Sequence, residues 1–313
     1  MSYYHAMNLN LVQSFLRPIS LLLLSTLVLA VVSRSVTAEE ELPTKAVQEF
    51  VTVLEQIKQN YVYTQSDEVL IESAIRGMVS ALDPFSRYLN TKELAQFQQA
   101  TSSTSGTPIW SLSVKQSGYV YLDIDFFQLT IADYIKRDLA KVNNLAGLVI
   151  DLRDNGGGFV NSAVAVADLF LDDKLVVNAK GRSAEANRDL SSGRLTPFIN
   201  VPIVILINEN TASAAEIFAA AMQDHQRANI IGTTSYGKGS VQSLIYTSFG
   251  ALQITTSMNY RPSGTAIQGE GVVPNYDVSD ADSLTTFISQ SSVNETLYNL
   301  IIKEQLTQEA VSP

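Results

Sequence analysis

Residues 147–171 read GLVIDLRDNGGGFVNSAVAVADLFL, and this stretch decides the fold class. It begins with an apolar run, Gly147–Leu152, of the kind that forms a buried strand in a parallel sheet. A glycine-rich turn and a helical pattern over 160–171 follow it. The chain repeats this order with the apolar run Val201–Ile207 and a helical pattern over 212–224. Strand, helix and strand in succession predict an α/β fold with βαβ crossovers.

The segments on either side of this core have other periodicities. Helical patterns cover 44–63, 67–82, 91–100 and 131–142, strand patterns cover 119–126, 240–247 and 251–258, and an amphipathic helix closes the chain at 293–307. The polar stretch Thr101–Pro108 predicts a linker. The predicted organisation is a leader at 1–38, an N-terminal helical region at 39–100, a linker at 101–118, an α/β core at 119–282 and a C-terminal helix at 283–313.

Composition excludes several kinds of chemistry. The 313 residues include no Cys and two His, His5 and His225. Thiol nucleophiles, disulfides and thiolate metal sites are therefore absent, and a site built from several histidines is disfavoured. The formal net charge of −10 disfavours nucleic acid as a partner, because phosphate binding needs a basic face. We expect neither a metal nor a cofactor.

The N-terminus has the features of a signal peptide. Arg17 precedes an apolar run over 19–32, and the small-residue stretch Val36–Ala38 precedes three glutamates. The sequence therefore predicts export to the periplasm or the medium. An uncleaved leader that anchors the chain to a membrane stays open as an alternative.

The turn after Val201–Ile207 holds a candidate nucleophile, Ser213. Ser213 and Glu216 have the spacing of a capping box, so one interpretation is that Ser213 only caps a helix. In the other, its hydroxyl lies at the positive end of the helix dipole, where the amide of Ala214 faces any oxyanion that forms.

A base for Ser213 is harder to find. His225 lies twelve residues later on the same predicted helix, about 18 Å away, so a histidine-based triad is excluded by geometry. Lys238, between Gly237 and Gly239, is the alternative, because a desolvated neutral amine can act as a base. It is equally compatible with an exposed lysine in a glycine turn. The nearby Gly232-x4-Gly237-Lys238 spacing is not a P-loop, since Gly239 replaces the metal-binding hydroxyl and a strand follows.

Four segments together resemble one family, in the right order over about residues 45–278. They are LIESAIRGMVSALDPFSRYL at 70–89, the run from 147, TASAAEIFAAAMQDHQRANIIGTTSYGKGSVQS at 211–243 and RPSGTAIQGEGVVPNYDV at 261–278. This pattern is similar to that of the C-terminal processing (tail-specific) peptidases, which use a Ser–Lys dyad. The resemblance implies a crotonase/ClpP-like βαβ core and a serine endopeptidase acting on proteins or peptides without a cofactor.

The resemblance also implies roles for individual residues. They are Ser213 as nucleophile, Lys238 as general base, Gln242 as the residue that positions the lysine, Ala214 with Gly157 or Gly158 as the oxyanion hole, and Asp224 as structural support. Two positions depart from the family pattern: Ala215 replaces a serine, and Phe85 replaces a frequent histidine.

A larger departure is the PDZ domain that members usually insert between the N-terminal helices and the core. Here only the predicted linker occupies that place, so the cleft itself or an adaptor protein would select the substrate. Two alternatives to an active peptidase follow. One is a catalytically silent or adaptor-dependent peptide-binding module on the same fold, and the other is acyl-CoA chemistry on a crotonase-like scaffold.

Overall fold

The computed structural model describes residues 43–102, 110–114 and 118–277, in two compact units that divide after Ile71. The predicted leader at 1–38 and the predicted helix at 293–307 lie outside the described residues. Within the described ranges, no helix has the length and apolar character needed to cross a membrane.

The described helices are α1 (Thr44–Asn60), α2 (Asp67–Ser80), α3 (Thr91–Ser102), α4 (Ile131–Leu139), α5 (Val160–Ala167) and α6 (Ala214–Asp224). The described strands are β1 (Arg87–Asn90), β2 (Trp110–Val114), β3 (Tyr119–Ile124), β4 (Gly147–Asp151), β5 (Leu175–Gly181), β6 (Arg188–Ser191), β7 (Ile203–Ile207), β8 (Asn229–Gly232), β9 (Ser240–Thr247), β10 (Gly250–Tyr260) and β11 (Tyr276–Asp277).

The first unit contains α1 and the beginning of α2. No residue of α1 is buried, and its apolar stripe, which includes Phe50 and Ile57, remains exposed. Lys58 in the last turn of α1 forms an ion pair with Asp67 in the first turn of α2, with 2.6 Å between Nζ and Oδ1. The helices predicted over 44–63 and 67–82 are confirmed as α1 and α2.

The second unit contains a six-stranded sheet in the order β11-β8-β7-β4-β3-β2, in which only β2 runs antiparallel to its neighbour. Alternate residues of β4 belong to different faces: Leu148 and Ile150 join the large core with α4, α5 and α6, whereas Val149 joins a smaller cluster. The predicted α/β core with βαβ crossovers is thus confirmed. Parallel strands bring the turns that follow β4 and β7 to one edge of the sheet.

A second sheet of five strands is built around the long strand β10. Strand β9 pairs with β10 along its length, whereas β1 and β5 pair with its beginning and its end. Strand β1 lies in the region predicted to be helical, and residues from Glu72 onward belong to the second unit. Strand β2 lies within the range predicted as a linker.

Candidate active site

The turn between β7 and α6 holds Ser213 in an uncommon conformation. Its φ is 58° and its ψ is −116°, which is strained for a residue other than glycine. Contacts on the N-terminal side fix the turn: Thr211 Oγ1 donates to the carbonyl of Leu152 at 2.7 Å, and the Ala212 N–H donates to Asn155 O at 2.9 Å. Such strain persists only where the surroundings impose it, and it is characteristic of functional sites.

The beginning of α6 offers backbone donors near Ser213. The Ser213 N–H donates to Glu216 Oε2 at 2.7 Å, which is the contact that the capping-box spacing predicted. Ala214 is the first residue of the helix, so no earlier helical turn can accept its N–H. This N–H is therefore available to a ligand at the positive end of the helix dipole.

The glycine-rich turn after β4 packs directly against Ser213. A methyl group at Gly157, where φ is 109°, would lie 2.8 Å from Ser213 Cβ and 3.0 Å from the nitrogen of Ala214. The Gly157 N–H already donates to the side chain of the buried Asn155, at 2.8 Å from Oδ1. The two predicted oxyanion glycines thus differ, because the amide of Gly157 is engaged within its own turn.

Gly158 is held from the opposite side by Phe127. The Phe127 N–H donates to Gly157 O and the Phe159 N–H donates to Phe127 O, both at 2.8 Å. In this parallel bridge the amide of Gly158 points away from Phe127. Of the two predicted oxyanion glycines, Gly158 is therefore the one whose N–H can serve a ligand.

The turn before β9 places Lys238 at the same edge of the sheet. The N–H groups of Gly237 and Lys238 donate to Glu216, at 2.6 Å from Oε1 and 2.8 Å from Oε2. Glu216 Oε2 therefore accepts the backbone N–H groups of both Ser213 and Lys238. The structure thus brings the backbones of the two predicted catalytic residues together, although they lie in separate parts of the sequence.

The side chain of Lys238 lies against an aromatic ring. Its Nζ is 5.3 Å from the centroid of Phe85, within the range of cation–π attraction. The turn that carries Phe85 is fixed by Asp83, whose carboxylate accepts the N–H groups of Phe85 and Ser86 and the hydroxyl of Ser86, each at 2.8 Å. Burial raises the pKa of Asp83, but the hydrogen bonds from Ser86, Phe85 and Thr255 outweigh it and lower the pKa overall. The departure from the family at Phe85 therefore lies at the candidate base.

The side chain of Gln242 makes its described hydrogen bonds to residues of β9 and β10. Its amide Nε2 donates to Ser240 Oγ at 3.0 Å and to Thr255 Oγ1 at 3.1 Å. In the part of the chain that the structure describes, no hydrogen bond joins it to Lys238. Gln242 thus acts on Lys238 only through the beginning of β9, which these hydrogen bonds hold in place.

The far end of α6 carries the remaining predicted residues. His225 Nε2 lies 2.7 Å from the carbonyl of Leu175, at the opposite end of the helix from Ser213. Asp224 forms a largely buried ion pair with Arg261, with 2.5 Å between Oδ1 and Nη2, and it accepts the N–H of Ser263 at 2.9 Å. These contacts agree with a structural role for Asp224.

Replacing Asp224 by alanine is expected to lower the free energy of unfolding by about 3 kcal/mol at pH 7, because Arg261 would stay buried without its partner. Burial raises the pKa of Asp224, but the hydrogen bonds from Arg261 and Ser263 lower it overall. Because the pKa of Asp224 is lower in the folded state than in the unfolded state, its ionised carboxylate stabilises the fold above the unfolded-state pKa, at about pH 4. This contribution is lost as the pH falls through the folded-state pKa. Thermal unfolding should therefore show a difference between the two proteins that shrinks on acidification.

Asp138 provides a matched control for this measurement. It pairs with Arg137 and Lys141, whose side chains are 54% and 66% exposed. Asp138→Ala should lower the melting temperature far less than Asp224→Ala, because exposed ion pairs contribute little. Equal losses in both variants would show that the Asp224–Arg261 pair has no special role.

Comparison with known proteins identifies the family. Residues 118–278, about half of the chain, match the profile of Peptidase family S41, and residues 28–93 match that of the Activating protease CtpB N-terminal domain. A carboxy-terminal-processing protease of Bartonella bacilliformis is 31% identical over 342 aligned positions, which cover 79% of this chain and 78% of that protein. The chloroplastic carboxyl-terminal-processing peptidase 1 of Arabidopsis thaliana is 38% identical, over 41% of this chain and 26% of the relative.

The fold has counterparts among solved structures. The photosystem II D1 C-terminal processing protease superposes with a TM-score of 0.59 at 17% identity, over 77% of this chain and 91% of that one. Fold, family profile and relatives agree with one another, and the chain belongs to peptidase family S41 as a serine-type, C-terminal processing peptidase.

Proposed function

We propose that this protein is an exported endopeptidase that cleaves proteins or peptides with Ser213 as nucleophile and Lys238 as general base. One observation carries the proposal: a single carboxylate oxygen of Glu216 accepts the N–H groups of both residues. The partly exposed Ser213 also directly precedes a helix and packs against a glycine turn in which the N–H of Gly158 points away from Phe127. This combination suits a reaction in which negative charge develops next to Ser213.

The mechanism follows from these positions. Neutral Lys238 removes the proton from Ser213 Oγ as the oxygen attacks the peptide carbonyl, and the N–H groups of Ala214 and Gly158 stabilise the oxyanion. The tetrahedral intermediate then collapses, and the Lys238 ammonium protonates the departing amine. Water, deprotonated by the same lysine, hydrolyses the acyl-enzyme and restores Ser213.

Substrate selection would differ from that of relatives with a PDZ domain. The alignment with the Bartonella protein is longer than the part of this chain that it covers, so that protein carries residues without a counterpart here. We infer that the cleft or an adaptor protein chooses the substrate. The proposed export, either with a cleaved leader or with the leader kept as a membrane anchor, rests on residues 1–38 alone.

One observation favours the peptide-binding module as a second candidate. The amine of Lys238 lies on the ring of Phe85, and the structure describes no hydrogen bond from this amine to Ser213. A module of this kind would bind extended peptides without cleaving them.

The two candidates differ in a casein hydrolysis assay with residues 39–313. We expect the wild type to cleave casein and Lys238→Ala to be inactive, because the proposed mechanism needs a base for Ser213. EDTA should leave the rate unchanged, since no step uses a metal. Equal cleavage by the two proteins would contradict a lysine base, and binding of casein without cleavage would support the module.

A further inference from the structure

The buried carboxylate of Glu216 is the most highly connected side chain at the site. It is fully buried, and each of its two oxygens accepts two hydrogen bonds. Oε1 accepts the hydroxyl of Ser235 and the N–H of Gly237, both at 2.6 Å, whereas Oε2 accepts the N–H groups of Ser213 and Lys238 at 2.7 and 2.8 Å. A helix cap requires only the contact with Ser213. The other three contacts need another explanation.

All four groups act as donors toward Glu216. Three are backbone N–H groups, and the fourth, Ser235 Oγ, itself accepts the N–H of Val272 at 2.7 Å, so its own proton is directed to the carboxylate. Only the ionised carboxylate matches four donors, because a protonated carboxyl would direct its hydrogen at another hydrogen. The charge lies in the first turn of α6, where the helix dipole stabilises an anion.

We propose that Glu216 is a positioning residue that fixes the distance between Ser213 and Lys238. Its carboxylate hydrogen-bonds both the turn before α6 and the turn before β9, so the two turns keep a fixed separation. The Ser213 hydroxyl and the Lys238 amine are thereby held on turns that cannot move apart. This inference rests on the proposed function. Glu216 itself does not touch the substrate, because it is fully enclosed by the protein.

The substitution Glu216→Gln tests the proposal with little change in shape. A carboxamide has one acceptor oxygen, so its NH2 group must face two of the four donors, which would then lose their acceptor. We expect kcat for casein-derived peptides to fall about 100-fold, because small displacements of reacting groups have effects of this size. KM should change much less, since the binding surface remains. Amides in residues 236–240 should exchange hydrogen faster, because either Gly237 or Lys238 loses its acceptor, depending on which oxygen the NH2 group replaces.

Glu209→Gln is the matched control. Glu209 is exposed and accepts a hydrogen bond from Thr233 at 3.0 Å. Thr233 lies in the segment that leads to the turn of Lys238. Glu209→Gln should keep wild-type kcat and exchange rates. If Glu216→Gln fails to fold, Ser235→Ala replaces it. This substitution removes one of the four donors to Glu216 and the acceptor of the Val272 N–H, and it should lower kcat with a smaller change in exchange at 236–240.

The outcomes separate this inference from the proposed function. A Ser213-dependent peptidase in which Glu216→Gln behaves like Glu209→Gln would overturn the positioning role and leave the proposed function standing. If the wild type does not cleave, the proposed function fails, and hydrogen exchange decides the rest. Faster exchange at 236–240 in Glu216→Gln alone would support the link between the turns, and unchanged exchange would overturn it.

Discussion

Ser213→Ala and Lys238→Ala are each expected to abolish peptide hydrolysis. We expect kcat/KM to fall about 10⁴-fold or more without the nucleophile and about 10³-fold without the base. In the described structure the backbone N–H groups of both residues donate to the same carboxylate oxygen of Glu216, so we expect the two residues to act as a unit. The double variant should therefore be no worse than Ser213→Ala alone, since the effects of such residues are not additive. Progress curves with one fluorogenic peptide measure all three.

Two further lysine variants separate a base from a charge. Lys238→Arg keeps the positive charge but cannot supply a neutral amine, so it should be as inactive as Lys238→Ala. Lys180 is the matched control, because its Nζ also lies over an aromatic ring, 4.7 Å from the centroid of Tyr260, but on β5. Lys180→Ala should keep full activity. Substantial hydrolysis by Lys238→Arg would reject the general-base role.

The α/β core could be predicted because its sequence pattern is local. The apolar run Gly147–Leu152 predicts β4, and the apolar run Val201–Ile207 predicts β7 in the same way. The helical pattern over 212–224 predicts α6. The predicted helix over 160–171 shows the limit, since α5 ends at Ala167 while Leu169 and Phe170 stay buried in the core. Burial continues the apolar pattern beyond the last helical turn, so periodicity overestimates the length of the helix.

The contacts that assemble the site could not be predicted because they are distant in sequence. Phe85 meets Lys238 through a turn that β10 fixes, and nothing local in either segment indicates the other. Glu216 shows the same limit. Its spacing from Ser213 predicted a cap, but no spacing in the sequence reveals that it also accepts a hydrogen bond from the N–H of Lys238. The local sequence offered Ser213 and Lys238 as candidates and the resemblance to a family implied their roles, but only the structure shows that Glu216 links them.

Gly157→Ala is expected to reduce kcat/KM about 100-fold, because a side chain at this position has no room beside Ser213, the proposed nucleophile. Its methyl group would lie 2.8 Å from both Ala212 O and Ser213 Cβ and 3.0 Å from the nitrogen of Ala214. These atoms belong to the turn that presents the hydroxyl and the proposed oxyanion donor. The φ of 109° adds strain for any L-residue. Displacing such a donor has effects of this order in serine peptidases.

The neighbouring glycines supply controls within the same turn. A methyl group at Gly156 would have no heavy atom within 4 Å, so Gly156→Ala should keep activity within about twofold of the wild type. Gly158→Ala should lower activity as well, because the Gly158 N–H is a proposed oxyanion donor. It should also lower the melting temperature, because its methyl would lie 2.5 Å from the carbonyl oxygen of Phe127, which is backbone and cannot move aside. Gly157→Ala should thus combine a large loss of activity with a smaller loss of stability than Gly158→Ala. Wild-type activity in Gly157→Ala would mean that this turn does not form the wall of the catalytic site.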